Sequence, residues 1–488
     1  MNPFQRFPPE ICFARVMRLR LVSRQFRDYT YDAIFRLRLL NHFDVAFVGG
    51  LHRPIEGWRN YVVSYVAYQA KRERRTTSHA GRIYRAAQAL CEEDGNATEE
   101  AVATCVRALC PLAMLCHPSI LRRAPDMKLH APTECELQHD IDVAAIYLSR
   151  MAHVERLVAK KGLAFVQNLA GSAFGGAFMA AVGSGNVEMA NLVLQRKPKQ
   201  DGTPGRPDEF ELCYLLAFAA SYGHRHLFDF AVDSLLNAAE FHSLSDLIFV
   251  LEHGLSTPCP DIYERLVALL GRLSHGPEWP VSLLGRLSHG TEPGRDYSRR
   301  LAMSIHDREF DLARHCLGKV VAANDNSDLG KEAFQRVIQH ALCRAVHVGS
   351  EEMMTLLLNT GVELSQQDLS RLLRCAVWKG RIPIARNLLN LGADPNHEQP
   401  AIIAIAILKE HMPMFRLLRE HGARLDTLET GGWAMAAAQQ HGLDSMVDLL
   451  IREGADKDVV VDQPAGGFEL QLSSSTARFD WGFYLGIY

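Results

Sequence analysis

The sequence lacks long apolar runs and any excess of charge. No stretch of its 488 residues approaches the ~20 uncharged apolar residues that a membrane-spanning helix needs. Its 53 basic and 56 acidic residues give a formal net charge of -3, so we expect no overall attraction to nucleic acid or to an anionic membrane. Apolar residues make up 48% of the chain, which is enough for a core and argues against disorder as its main state.

The sequence also lacks the marks of export and of a disulfide framework. Its 11 cysteines form no C-x-x-C pair. The segment from Met1 to Arg27 carries six arginines where a secretory signal has an apolar run. We therefore predict reduced thiols and an intracellular protein of the cytoplasm, the nucleus or both. A mitochondrial transit peptide is the weaker interpretation of the same arginines.

No catalytic motif stands out, whether a nucleophile elbow, a phosphate-binding loop or a zinc-protease signature. The one cluster that tests a metal site is Cys105, Cys110, Cys116 and His117, followed by Cys135 and His139. Zinc ligands usually come in pairs two to four residues apart, whereas spacings of five and six along a helix place the sulfurs on different faces. The sequence therefore predicts buried structural thiols, no enzyme, and no catalytic, cofactor or metal site.

The informative feature is an internal repeat near the C-terminus. Four glycines lie 30 to 32 residues apart, and a pair of leucines precedes each of them: Gly361, Gly392, Gly422 and Gly454. A second marker comes twelve residues before each: Gly349, Gly380, Glu410 in place of glycine, and Gly442. A small residue stands four positions before each marker: Ala345, Ala376, Ala406 and Ala438. This pattern predicts a pair of short helices per unit, turning at the marker and burying its apolar face against neighbouring units.

Two of these segments, Gly392-Ala393-Asp394-Pro395-Asn396 and Ala438–Gly442, resemble the ankyrin repeat in a degenerate form similar to that of filamentous-fungal proteins. The Thr-Pro-Leu-His tetrapeptide of that family is missing, and stretches such as Ala401–Ala404 stand in its place. The resemblance implies an all-α fold with a helix-turn-helix solenoid. Weaker upstream copies raise the expected number of units to between seven and nine. We assign residues 136–458 to the solenoid, with insertions at 198–209 and 255–298, residues 46–135 to a small helical region, and residues 459–488 to a tail that caps the last repeat.

The N-terminal segment, residues 1–45, carries a second resemblance. Phe7-Pro8-Pro9-Glu10-Ile11 and the run from Leu19 to Arg27 resemble the two ends of an F-box, the module that binds the Skp adaptor of cullin-RING ubiquitin ligases. Ile11 and Val22 are only 11 residues apart, so most of a helix of that module is missing. If the truncated module works, the resemblance assigns adaptor binding to five residues: Pro9, Ile11, Leu21, Val22 and Phe26.

The functional prediction is a non-catalytic protein that binds protein partners and works as a regulatory adaptor, because stacked helical repeats present an extended surface with projecting loops. The expected contact residues lie in two of these loops: Asp394, Asn396, His397, Arg424 and Asp426. The alternatives are a transcription co-regulator of the fungal ankyrin type, acting on a transcription factor and serving secondary metabolism in some relatives, and a ubiquitin-ligase substrate receptor. A cytoplasmic scaffold is the third use. Direct binding to nucleic acid or to a membrane is not expected.

Overall fold

The computed structural model describes residues 24–36, 56–76, 78–116, 133–161, 172–194, 209–237, 254–255, 257–273, 295–325, 330–397 and 401–456. Every regular element in these residues is helical, which confirms the predicted all-α class. None of the helices in this part of the chain is both long and apolar enough to cross a bilayer. The chain divides between Ser288 and His289, inside the segment predicted as the second insertion, into two compact units.

The N-terminal unit begins with four helices: α1 (Arg24–Arg36), α2 (Glu56–Arg72), α3 (His79–Glu93) and α4 (Glu99–Cys116). Helix α1 packs on α2, because Ile34 is buried and the Phe35 ring lies 5.3 Å from the ring of Tyr65, centroid to centroid. Gln69 and Arg72 of α2 donate hydrogen bonds to the last two carbonyls of α1, at 2.9 and 3.1 Å. The predicted boundary at residue 45 therefore separates two helices that share a packed interface.

Three helix pairs and one further helix follow: α5 (Glu134–Tyr147) with α6 (Met151–Lys161), α7 (Ala177–Ser184) with α8 (Val187–Leu194), α9 (Glu209–Tyr222) with α10 (Arg225–Asn237), and α11 (Pro260–Leu273). Helix α7 contacts both α5 and α9, so the first helices of the pairs adjoin one another.

Helix α11 differs from the prediction, which placed it inside an insertion. Its residues Ile262, Leu266 and Leu269 are buried in the core of the α9–α10 pair. The reason is their helical spacing, which puts all three on one apolar face. The other predicted insertion lies outside the described residues apart from Glu209, as does the predicted cap at 459–488.

The C-terminal unit contains five further pairs: α12 (Arg295–His306) with α13 (Phe310–Asp325), α14 (Lys331–Val348) with α15 (Glu351–Leu358), α16 (Gln366–Trp378) with α17 (Ile382–Asn390), α18 (Ile402–Leu408) with α19 (Met412–Glu420), and α20 (Trp433–Gln440) with α21 (Asp444–Arg452). A π-helical turn, Leu428–Gly432, leads into α20. The first helices contact one another in series from α12 to α20. Helix α18 and the preceding Ala401 form eight consecutive apolar residues, all of them buried.

The turn inside each pair explains the glycine markers. Gly349, Gly380 and Gly442 have φ between 60 and 85°, in the left-handed region that glycine enters without steric cost. Arg308 and Glu410 occupy the same position with φ of 62 and 50°. In the five pairs of the C-terminal unit the next residue donates its N–H to the carbonyl of the small residue five positions earlier, at 2.8 to 3.0 Å: Ser304, Ala345, Ala376, Ala406 and Ala438. The turns thus lie where the sequence predicts them, each closed by the same backbone hydrogen bond.

The helix starts also follow from local sequence. Ser365 caps α16, since its Oγ accepts the N–H of Asp368 at 3.2 Å while the Asp368 carboxylate accepts the N–H of Ser365 at 3.1 Å. Pro383 and Pro413 stand in the first turns of α17 and α19, where a missing N–H costs nothing. These caps fix the point at which each loop ends and therefore the position of the loop residues.

Candidate protein-binding surface

The loops that join successive pairs carry the predicted contact residues. Asp394, Asn396 and His397 lie between α17 and α18, and Arg424 and Asp426 lie between α19 and α20. The structure brings the two loops together through Asn396. Its Nδ2 donates to the carbonyl of Gly422 at 3.0 Å, and its Oδ1 accepts the N–H of Arg424 at 2.8 Å. Asn396 is therefore a bridge between neighbouring loops.

The other four predicted residues are exposed to solvent. Asp394 shapes its own loop, because its carboxylate accepts the N–H of Asn396 at 2.8 Å in an Asx turn. Arg424 and Asp426 form a two-pronged ion pair with N–O distances of 3.0 and 3.0 Å. The hydrogen bond from Arg424 lowers the pKa of Asp426. The loops thus offer charged groups held in defined positions.

Sequence reasoning missed two residues that make a similar contact to the following loop from the first helices of earlier pairs, α14 and α16. The Gln366 amide, oriented with its nitrogen toward Gly392 O (3.1 Å), accepts the N–H of Asp394 on its oxygen at 2.7 Å. The Gln335 Oε1 accepts the N–H of Glu363 at 3.1 Å. In all three cases the amide precedes its N–H donor by 28 residues. A signal was present, because positions 335, 366 and 396 are 31 and 30 residues apart, as are the glycines at 361, 392 and 422.

Removing the bridge tests its structural role. We expect Asn396→Ala to lower the free energy of unfolding by about 1–2 kcal/mol, since two hydrogen bonds between loops are lost. Urea denaturation of the full chain measures this change. The neighbouring exposed variant His397→Ala is the control and should leave the midpoint unchanged. Equal stability of both variants would contradict the bridge.

Of the five F-box-like residues, Pro9, Ile11, Leu21 and Val22 lie outside the described residues, and Phe26 lies in α1. Helix α1 also carries Tyr29, which is 63% exposed. Its hydroxyl accepts a hydrogen bond from Gln25 at 3.2 Å. The structure therefore shows an exposed aromatic side chain on the one helix of this segment that it describes.

Three thiols of the cysteine cluster are buried or half-buried, whereas Cys135 is exposed, contrary to the prediction of buried thiols. Burial raises the pKa of Cys105 and of Cys110 to about 12. The Cys116 thiol donates to the carbonyl of Phe174 at 3.0 Å, and His139 Nε2 lies 3.3 Å from the carbonyl of Gly175. Within the described ranges no three metal-ligating side chains converge. Cys105 and Cys110 thus lie in the core, and Cys116 and His139 each contact a backbone carbonyl.

A buried histidine in α14 makes stability depend on pH. Burial, with a smaller contribution from the charge of Arg344, lowers the pKa of His340 to about 4. The unfolded chain binds this proton below about pH 6.5, so the folded state loses stability as the pH falls from 6.5 to 4. We expect a loss on the order of 2–3 kcal/mol that His340→Gln abolishes. Denaturation midpoints at several pH values measure it. The exposed His397→Gln is the control, and an unchanged pH profile in His340→Gln would contradict the assignment.

No protein-family model matches the chain, and no curated protein matches it significantly. What the described residues define is an architecture: most of their helices form pairs, and in the C-terminal unit three side-chain amides each accept an N–H of a connecting loop 28 residues further on.

Proposed function

We propose that this chain is a non-catalytic ankyrin-type repeat protein that binds a protein partner through its connecting loops and works as a regulatory adaptor. The observation that carries the proposal is the repeated amide bridge at Gln335, Gln366 and Asn396. Each amide fixes the backbone of the connecting loop that follows it, so the exposed groups of that loop lose little conformational entropy on binding. A surface organised in this way over several repeats favours the recognition of another macromolecule over that of a small molecule.

The charged side chains of the connecting loops are the part of this surface that a protein partner would recognise. Glu363, Asp394 and Asp426 are exposed and occupy successive loops, and Arg424 stands between the last two. Rim charges of this kind set the specificity and the rate of association more than the affinity. Reversing them should therefore reject a partner without disturbing the helical core.

The test is affinity purification of the tagged full chain from its native host, with the double variant Asp394→Arg/Asp426→Arg beside the wild type. We expect at least one protein recovered with the wild type to be lost from the variant. Arg386→Glu, an exposed charge reversal on α17 away from the loops, is the control and should retain it. Partners that survive the loop reversal but not the control variant would overturn the proposal. The identity of the captured protein also distinguishes the candidate functions. A Skp-type adaptor would indicate a ubiquitin-ligase receptor, a transcription factor would indicate a co-regulator, and neither would indicate a scaffold.

The ubiquitin-ligase receptor is the second candidate, and exposed Tyr29 on α1 favours it. Large aromatic side chains are enriched at protein interfaces, and most of the Tyr29 side chain is exposed. If the face of α1 that carries Tyr29 binds a Skp-type adaptor, Tyr29→Ala should abolish its recovery while leaving the loop-dependent partner in place. Gln25→Ala on the same face is the milder matched variant. If the wild-type protein recovers no Skp-type adaptor, this candidate function is excluded.

A further inference from the structure

Three consecutive turns of the C-terminal unit meet around the end of α14. Arg308 belongs to the turn between α12 and α13, and its Nη2 donates to the carbonyl of Val348 at 2.8 Å. Arg381 is the residue immediately before α17, and its Nη2 donates to the carbonyl of His347 at 3.4 Å. The Arg381 side chain also covers the turn glycine, Gly349. Two guanidinium groups therefore lie on neighbouring peptide carbonyls.

This pair differs from Arg82 and Arg300, two more deeply buried arginines of the described residues. Arg82 and Arg300 are each matched by a buried carboxylate, Asp140 and Glu309. Neither Arg308 nor Arg381 has a carboxylate within ion-pair distance among the residues that the structure describes, although both are half-buried. The Nε of each is buried without an acceptor in that same part of the chain. Burial and the charge of Arg308 lower the pKa of Arg381, as expected for two like charges without a counter-ion.

Helix capping alone does not account for both side chains. The carbonyl end of a helix carries about half a negative charge, which one arginine already neutralises. Arg308 also holds a left-handed backbone conformation that most other turns give to glycine. Ser149 and Glu410 hold the same conformation in other turns, so the site is defined by the two guanidinium groups and not by backbone strain.

We propose that Arg308 and Arg381 form an anion site that receives a side-chain carboxylate from an acidic segment of the protein partner. A guanidinium binds a carboxylate through two parallel N–H donors, and each of these groups keeps donors beyond the one given to α14. The bound carboxylate would supply the counter-charge that the free protein lacks. The inference rests on the proposed function, since it names the chemistry of one part of the partner.

The test uses a blocked peptide of four glutamates and a matched peptide of four glutamines, titrated into the full chain by isothermal calorimetry at low salt. We expect saturable binding of the glutamate peptide only. Arg308→Gln and Arg381→Gln should each weaken it at least five-fold. Arg386→Gln removes an exposed arginine of α17 that has no partner in the described residues, and it should leave the affinity unchanged. Thermal melts of each variant establish that it is folded.

Three outcomes would overturn the site: no saturable binding by the wild type, equal weakening by Arg386→Gln, or full affinity in a folded Arg308→Gln/Arg381→Gln double variant. Its failure is distinguishable from that of the proposed function. If the double variant still recovers the loop-dependent partner in the affinity purification, the loops bind a protein without this anion site. If the peptide binds as expected but no partner depends on the loops, the anion site remains and the loop proposal fails.

Discussion

Arg82→Met should lower the free energy of unfolding by about 3–5 kcal/mol, because it leaves the buried carboxylate of Asp140 without a counter-charge. Arg82 Nε lies 2.6 Å from Asp140 Oδ2, and the two side chains are 5% and 2% exposed. The other oxygen of Asp140 accepts hydrogen bonds from Ser172 Oγ at 3.0 Å and from the N–H of Ala173 at 2.8 Å. The pair thus joins α3, α5 and the segment before α7.

Urea denaturation of the full chain measures this effect, and the pH dependence of the loss is a second signature. Burial raises the pKa of Asp140 above its ordinary value in spite of Arg82. Without Arg82 the carboxyl group takes up a proton still more readily, so the loss should be large at pH 7 and should shrink as the pH falls toward about 4. Arg424→Met, which breaks an exposed pair, is the control and should have little effect. If Arg82→Met is as stable as the wild type, the buried ion pair does not stabilise the fold.

Leu389→Ala and Leu450→Ala should each destabilise the protein by about 2–5 kcal/mol. Leu389 is 6% exposed and Leu450 is fully buried, and both lie on the second helices of their pairs, against the core. Truncation removes apolar contacts and leaves a cavity that the packed neighbours cannot fill. Denaturant unfolding measures both. Leu391→Ala, two residues beyond Leu389 but 51% exposed, is the matched control and should change the stability by less than about 0.5 kcal/mol. Wild-type stability in both core variants would mean that the repeat register is wrong.

The periodic features of the fold could be predicted because the residues that determine them lie close together in the sequence of each unit. The turn at Glu410 is an example: its spacing from Ala406 identifies it as a turn although glycine is missing, and its φ of 50° bears this out. Helix α11 could not be predicted in the same way, because the segment Leu269–Gly276 recurs at Leu283–Gly290 and this duplication indicates inserted sequence. The apolar face of a single helix is a weaker sequence pattern than a motif that recurs about every 30 residues.

Features that join distant positions left little local trace. Arg82 and Asp140 are 58 residues apart, and no local pattern pairs one arginine among many with one acid. Asn396 was predicted as a contact residue because it follows a family-like Gly-Ala-Asp-Pro. Its tie to the next loop became visible only when the loops were placed side by side. Loop exposure could be predicted, whereas the division of loop residues between structure and recognition could not.

The wholly buried helix α18 has a consequence for how the chain is made. Its cover includes α20, which begins 25 residues after α18 ends, so a nascent chain displays eight consecutive apolar residues until α20 has left the ribosome. Exposed apolar segments of this length attract chaperones or other unfolded chains. A stop codon placed between residues 409 and 432 should therefore yield an aggregating product, whereas one placed after the last pair should not. We therefore expect the nascent chain to be most prone to aggregation while the residues between α18 and α20 are being translated.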